Sequence, residues 1–411
     1  LPYTPVTFGA LAGRHVKEFF DLERTTPMHE WHIENRALFE DVGQWKRAWY
    51  YPKDKENFSS ALNREVKATR DSLGILDAST LGKIDIQGRD VSEFLNRIYT
   101  NAWSKLEIGK CRYGVMLGDD GMVIDDGVTT RLGEYHYLMS TTTGNAASVM
   151  SKLEDWLQTE WPELEVFLTS VTEQYGTISL NGPNSRKLME KLNSDFDFSK
   201  DNFPHMSFKN INLHGIECRV MRISFTGELC YEINVPSGYA KQLWDICIDK
   251  GQEFNITPYG TEAMHVLRAE KGFIIVGQET DGSVTPIDLD MDWIVSKKKY
   301  DFVGKRALNR SDTIKKDRKQ LVGLKTKDPK KVLEEGAQLV ETITTLPMKM
   351  VGHVTSSYYS PNLNSSFALA LIKGGLEKKG EKLFAPMENE TIEVEITDPV
   401  FIDPENKRIN Q

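Results

Sequence analysis

Two periods of hydrophobic and polar positions run along the chain, and the changes between them mark out its elements. Alternation with a period of two, rich in β-branched and aromatic residues, predicts strands at KIDIQG (83–88), CRYGVML (111–117), VIDDGVTT (123–130), YHYLMST (135–141) and QYGTISLNG (174–182). Two further strands lie in CRVMRISFTGELCYEINVP (218–236). A period near 3.6 predicts helices over 59–73, 90–100, 145–158, 182–192 and 261–272. CRYGVML and VIDDGVTT are joined by the turn-like GDDG (118–121) and read as a hairpin. The strand-then-helix rhythm of KIDIQG and DVSEFLNRIYT recurs at QYGTISLNG and GPNSRKLMEKL, which predicts two related α+β halves.

After about residue 320 the texture changes to short alternating segments with turn residues between them: QLVGLKT, GAQLV, MVGHVTSSYY, SSFALALI and TIEVEIT. That pattern predicts a small all-β barrel or sandwich, with a boundary in the charged stretch SDTIKKDRKQ (311–320). The Pro- and Gly-rich opening, LPYTPVTFGALAGRH, has no period and reads as a linker or extended arm. Thr26-Pro27 reads as an N-cap followed by proline at the first helical position. The helix over 59–73 carries Glu65 and Lys67–Arg70 on what reads as its polar side. GQWKRAWYY (43–51) is dense in aromatic residues.

Composition narrows the class without changing this picture. At 411 residues the chain exceeds one ordinary core, so two or three domains are expected. Hydrophobic residues at 39% and charged residues at 27% fit a globular protein. A net charge of −9, with no basic stripe, speaks against nucleic acid as a partner. No run of about 18 apolar residues suggests a membrane span. Four scattered cysteines without CxxC spacing read as reduced thiols of a cytoplasmic protein, with no metal site. A chain that starts at Leu1 without an apolar leader suggests a processed chain or part of something longer.

Among candidate chemical groups, the pair Asp125-Asp126 is the most pointed. Adjacent strand residues face opposite ways, so one of the two carboxylates points where its apolar neighbours point, and burial there needs a reason. Alternation alone does not say which, and a strand-end or turn carboxylate is the bland alternative. Glu228 and Glu232 lie in SFTGELCYE, where FTGE is a plausible tight turn; at most one of them need face a pocket, and a glutamate at a strand start is commonly solvated. Arg268 sits on an apolar helix face and predicts a carboxylate partner, structural or ligand-directed. His29 and His32 in HEWH are three apart, whereas two histidines binding one metal from a helix need a spacing of four; they read as surface or packing residues. Lys297-Lys298-Lys299 reads as a solvated face. No G-x-G-x-x-G, P-loop or G-x-S-x-G sequence occurs.

In combination the order TPMHEWHIE, GQWKRAWYY, LDASTLGKIDIQG, GKCRYGVML, GMVIDDGVTT, SFTGELCYE and TEAMHVLRAEKG resembles the folate-dependent aminomethyltransferase (T-protein) family of glycine cleavage, over about residues 25–400. Within it, GQWKRAWYY, DASTLGKIDIQG and YTNAWSKLEIGKCRYGVML are similar to the branch formed by the C-terminal half of the alpha subunit of heterotetrameric sarcosine oxidase. The resemblance implies an α+β, T-protein-like fold with ferredoxin-like halves and a C-terminal β-barrel. The implied divisions are an arm over 1–25, a folate-binding region of two α+β subdomains over 26–318, and a barrel domain over 319–411.

The same resemblance implies tetrahydrofolate as the cofactor, flavin on a partner beta subunit, and gamma and delta subunits as further partners. It maps the residue approaching the bridging folate nitrogen to Asp126 and the one holding the pterin ring to Glu232, with Tyr113 and Arg268 also in the binding set. Three positions depart from common members: Phe225 stands for tyrosine, Thr142 for asparagine and Leu81 for methionine. The implied activity is transfer of a methylene group to tetrahydrofolate, from an iminium or formaldehyde equivalent released by oxidative demethylation of a methylated glycine. A free-standing aminomethyltransferase and a non-catalytic folate-binding scaffold are the alternatives.

Overall fold

The computed structural model describes residues 3–7, 9 and 22–411. Most of the expected arm over 1–25 therefore lies outside the described residues. In chain order, α1 (His29–Glu34), β1 (Leu38–Val42) and β2 (Trp45–Tyr50) lead into α2 (Phe58–Asp71), β3 (Gly74–Asp77), β4 (Gly82–Gln87) and α3 (Val91–Ile98). Next come β5 (Cys111–Leu117), β6 (Val123–Gly133), β7 (His136–Thr141), α4 (Ala146–Thr159), β8 (Phe167–Ser170), β9 (Tyr175–Asn181) and α5 (Ser185–Leu192). The second half continues with β10 (Phe208–Leu213), β11 (Ile216–Met221), β12 (Cys230–Pro236), α6 (Ser237–Gly251), β13 (Thr257–Pro258) and α7 (Thr261–Glu270). Strands β14 (Lys319–Thr326), β15 (Gln338–Val340), β16 (Met350–Ser360), β17 (Ser365–Lys373), β18 (Lys382–Pro386) and β19 (Thr391–Thr397) complete it.

The first sheet has the order β5-β6-β7-β4-β8 and the second β10-β11-β12-β9-β3-β13. Strands β4, β6, β7 and β8 with helices α3 and α4 form a ferredoxin-like βαββαβ unit, and β5 extends its edge. In the second sheet β9, β11 and β12 with α5 and α6 repeat the pattern, and β3 takes the fourth strand's place. The doubling expected from the strand-helix rhythm is thus real. The last six strands close into a barrel in the order β14-β17-β16-β15-β18-β19. KLFAP of β18 and the short strands β3, β8 and β10 escaped the pattern reading, because each is short or flanked by polar residues that mask its period.

One apolar core joins the parts. Leu62 and Val66 of α2, Val115 of β5, Leu267 of α7 and Leu369 of β17 pack in a single cluster. One face of the first sheet therefore looks toward the second half and the barrel. Its other face, through Ile84, Tyr137 and Met139, packs under α3 and α4 by way of Phe94 and Leu153.

Two local expectations are corrected. The helix near Thr26 starts at His29 after Met28, without a side-chain cap, because the Thr26 hydroxyl donates instead to Asp77 at 2.5 Å. On α2, Glu65 and Arg70 are buried rather than solvated. Glu65 accepts the backbone N–H groups of Tyr51 (2.7 Å) and Gly260 (2.9 Å). Arg70 sits between Glu228 and Glu270, at 2.8 Å from each. A helix flanked on several sides by other elements has no free polar face, and its charges survive burial by pairing.

Candidate functional site

Strand β6 builds the site through one irregularity. Met116 pairs with Asp125 and Leu117 with Val123, so Ile124 is an extra residue, a β-bulge placed directly before the carboxylate pair. From there Val115 faces Asp126 and Tyr113 faces Val128 across the ladder. Asp126, Val128 and Tyr113 thus share the face turned toward the molecule's centre. The Tyr113 hydroxyl donates to Asp126 Oδ2 at 2.5 Å. Burial pushes the Asp126 carboxyl up to about 7, against the Tyr113 hydrogen bond that favours its charged form; the neighbouring Asp125 charge adds to the rise.

Asp125 points to the opposite face, but not outward to solvent. That face is roofed by helices, and Asp125 is 2% exposed. It accepts from the Thr142 hydroxyl at 2.7 Å and from the Asn145 amide at 3.3 Å, just before the first residue of α4, where the helix N-terminus favours an anion. Burial raises its carboxyl to about 6, moderated by those hydrogen bonds. Two adjacent carboxylates therefore titrate near neutrality on two sides of one sheet.

A small cavity opens along the centre-facing surface. Leu81, Lys83, Val128, Ser140, Glu232 and Asn234 are among the residues that line it. Asp126 stands two residues from Val128 on the same strand face, about 7 Å along the strand. Burial raises the Glu232 carboxyl above its ordinary range, opposed by the charge of Lys83 and a hydrogen bond from Asn234. The Lys83 ammonium donates to the carbonyls of Ser79 and Leu81, both at 3.0 Å, and burial lowers it to about 8. No residue forms an ion pair with Glu232 among the described residues, so its carboxylate can still accept from a donor-rich molecule in the cavity.

Leu81 and Glu232 therefore share one cavity, and Asp126 with Tyr113 flanks it. The other three candidates lie elsewhere. Thr142 is engaged with Asp125 behind the sheet. Phe225, exposed in the otherwise largely buried segment before β12, stacks on Phe273 with ring centroids 6.3 Å apart. Arg268 is fully buried, bound to Glu279 at 2.7 Å and to the Ser356 hydroxyl of the barrel at 2.7 Å. Lys83, Ser140 and Asn234 escaped the sequence reading. The signal for Lys83 was present: in KIDIQG it alternates with Asp85 and Gln87, which look like a solvent face, yet the second half covers its end of the strand.

Neither glutamate of SFTGELCYE is solvated: Glu228 is 1% exposed and binds Arg70 and Arg408. Lys299 also turns inward, donating to the carbonyls of Tyr99 (2.5 Å) and Asn101 (3.0 Å), and burial lowers its ammonium to about 7. His32 is a packing histidine, bonded to Asp77 (2.9 Å) and the Tyr51 hydroxyl (3.0 Å).

Comparison with known families gives this architecture its relatives. Residues 28–299 match the GCVT N-terminal domain, and residues 319–403 match the glycine cleavage T-protein C-terminal barrel domain. The chain belongs to the glycine cleavage T-protein family. It is 56% identical over 413 residues to the sarcosine oxidase subunit alpha of Corynebacterium sp. (strain P-1), covering 99% of this chain and 42% of that protein. The chain thus spans less than half the length of that relative. It is 29% identical to the aminomethyltransferase of Pseudothermotoga lettingae, covering 87% of this chain and 92% of that protein. Among solved T-protein folds, the glycine cleavage system aminomethyltransferase T from Bartonella henselae superposes with a TM-score of 0.81 at 23% identity, covering 93% of this chain and 98% of that one. In this T-protein fold the bulged strand β6 sits where both ferredoxin-like halves and the barrel share a core.

Proposed function

We propose that this chain binds tetrahydrofolate and transfers to it a methylene group from an iminium or formaldehyde equivalent, as the folate-handling part of a sarcosine-oxidase-type enzyme. In this reading a flavin on a partner subunit oxidises a methylated glycine, and further subunits complete the assembly. The observation that carries it is Asp126: a centre-facing carboxyl held near neutrality, hydrogen-bonded by Tyr113 and flanking the cavity that contains Glu232. The lining chemistry suits the group, and the cavity, about 10 Å³ as it stands, has to widen to admit a pterin ring. Glu232 presents a carboxylate that can accept side by side from the amino and ring N–H groups of a reduced pterin, and Leu81 and Val128 supply apolar walls.

Tetrahydrofolate supplies two nitrogens that close on one carbon. Joining an iminium R–NH=CH2⁺ to them gives 5,10-methylenetetrahydrofolate and R–NH3⁺, so two protons pass from the folate nitrogens to the departing amine. Asp126 is placed to accept such a proton and return it, since a carboxyl near 7 exists in both forms at neutral pH. In its charged form it also steadies a cationic reactant. Tyr113 fixes the carboxyl's orientation, and Glu232 with Lys83 fixes the ring.

The test is Asp126→Asn in the assembled protein. Tetrahydrofolate binding should persist while methylenetetrahydrofolate formation falls by about 10²-fold or more; unchanged product yield would remove Asp126 from this role. A second reading, a free-standing aminomethyltransferase fed by a lipoylated carrier protein, draws support from the relative matched over 92% of its own length. Turnover with such a carrier and none with a flavoprotein partner would favour it.

A further inference from the structure

A second, wider cleft lies in a different place. A cavity of about 920 Å³ lies between the N-terminal turns of α2 and α7, the segment 275–278 and barrel strand β16. None of Asp126, Tyr113, Leu81 or Glu232 lines it. We infer that this cleft is a second ligand site, built for a small organic ammonium ion.

Its polar groups carry an excess of acceptors. Glu262 receives one hydrogen bond, from the Trp49 indole at 2.9 Å, and has no ion-pair partner among the described residues. Glu335, at the mouth, receives the Gln278 amide at 2.8 Å and likewise has no ion pair. His265 lines the cavity, and neither ring nitrogen is hydrogen-bonded among the described residues. Burial and the nearby Arg268 charge lower the His265 imidazole to about 4, so it is neutral and keeps an acceptor nitrogen at physiological pH. Burial raises both carboxyls above their ordinary range, opposed at Glu262 by the Trp49 hydrogen bond and at Glu335 by a Tyr358 hydrogen bond and the Arg268 charge.

No cation forms an ion pair with either carboxylate among the described residues. Arg268 is committed to Glu279 and Ser356, and Lys330 is exposed at the rim without an ion pair among the described residues. Phe58, Tyr358 and Tyr359 add aromatic surface to the same wall, and aromatic faces attract ammonium groups. An ammonium with N–H donors would satisfy Glu262 and His265 together and place its carbon substituent against Phe58 and Leu62. An anion meets two carboxylates that have no ion-pair partner among the described residues and is repelled.

The test uses the full-length assembled protein and calorimetry with benzylammonium chloride, with benzyl alcohol as the uncharged comparison. Saturable binding of benzylammonium is expected, weakened about tenfold or more by Glu262→Gln. Benzyl alcohol should bind more weakly, and tetrahydrofolate affinity should be the same in wild type and variant. Glu335→Gln, at the exposed mouth, is the second variant should the first fail to fold. The inference is overturned by absence of saturable binding, by equal affinity for the alcohol, or by affinity unchanged in both variants. Failure of tetrahydrofolate to bind the wild type would count against the transfer reading and leave this one standing.

Discussion

At the scale of the residue, the Tyr113–Asp126 pair sets a pH dependence whose sign can be worked out. A proton-accepting Asp126 is effective once ionised, so methylene transfer should rise with pH through about 7, the value to which burial lifts its carboxyl. Tyr113 donates to the charged form and thereby holds that value down. Tyr113→Phe should therefore move the acid limb of the kcat/KM profile upward by about one pH unit; steady-state rates across the range would show it. Stability runs the other way. Both carboxyls lie above their ordinary value of 3.8, so their contribution is full below that value and is lost as pH rises from there through about 6 for Asp125 and about 7 for Asp126. The double variant Asp125→Asn/Asp126→Asn should flatten the fall in Tm over that window, measured calorimetrically. From sequence, alternation made one of the two aspartates odd but did not select it, because parity depends on a bulge that no residue type announces.

Among the elements, buried arginines do the joining. Arg268 on α7 binds Glu279, which in turn accepts the hydroxyls of Thr355 (3.0 Å) and Ser356 (2.5 Å) on the barrel strand β16. Arg70 on α2 binds Glu270 of α7, whose other oxygen accepts Ser360 of the barrel at 2.5 Å. Removing one member leaves a buried charge without its partner. Arg268→Met should cost about 3–5 kcal/mol in denaturant unfolding, a loss that Arg36→Met on the exposed Arg36–Asp54 pair should not produce. The sequence indicated that Arg268 wants a carboxylate, since its helix face is apolar. It could not indicate Arg70, whose partners lie 158 and 200 residues away and whose local neighbours are polar.

Across the whole molecule, the two ferredoxin-like halves and the barrel were legible because each repeats a period several times. The segment between α7 and β14 was not, since it has little regular structure and is held by single side chains such as Lys299 on the Tyr99 and Asn101 carbonyls. All four cysteines are buried and unpaired, spread over both halves. Burial lifts the thiols of Cys111, Cys218 and Cys230 to about 12 and raises that of Cys247 as well. Thiols so protected react slowly. Native protein should resist an aromatic disulfide reagent, and all four thiols should react together on unfolding, which makes thiol release a direct readout of global opening.

The extra residue in β6 has a consequence for how the site could have arisen. Ile124 works as a parity bit. With it bulged out, the second aspartate faces Tyr113 and the first faces α4; take it into a regular ladder instead, and the one-residue slip exchanges their destinations. Two identical side chains in tandem make that exchange chemically survivable, since a carboxylate lands on each face either way. The doublet thus acts as redundancy against frame error within the strand, a tolerance that a lone aspartate at position 126 would lack.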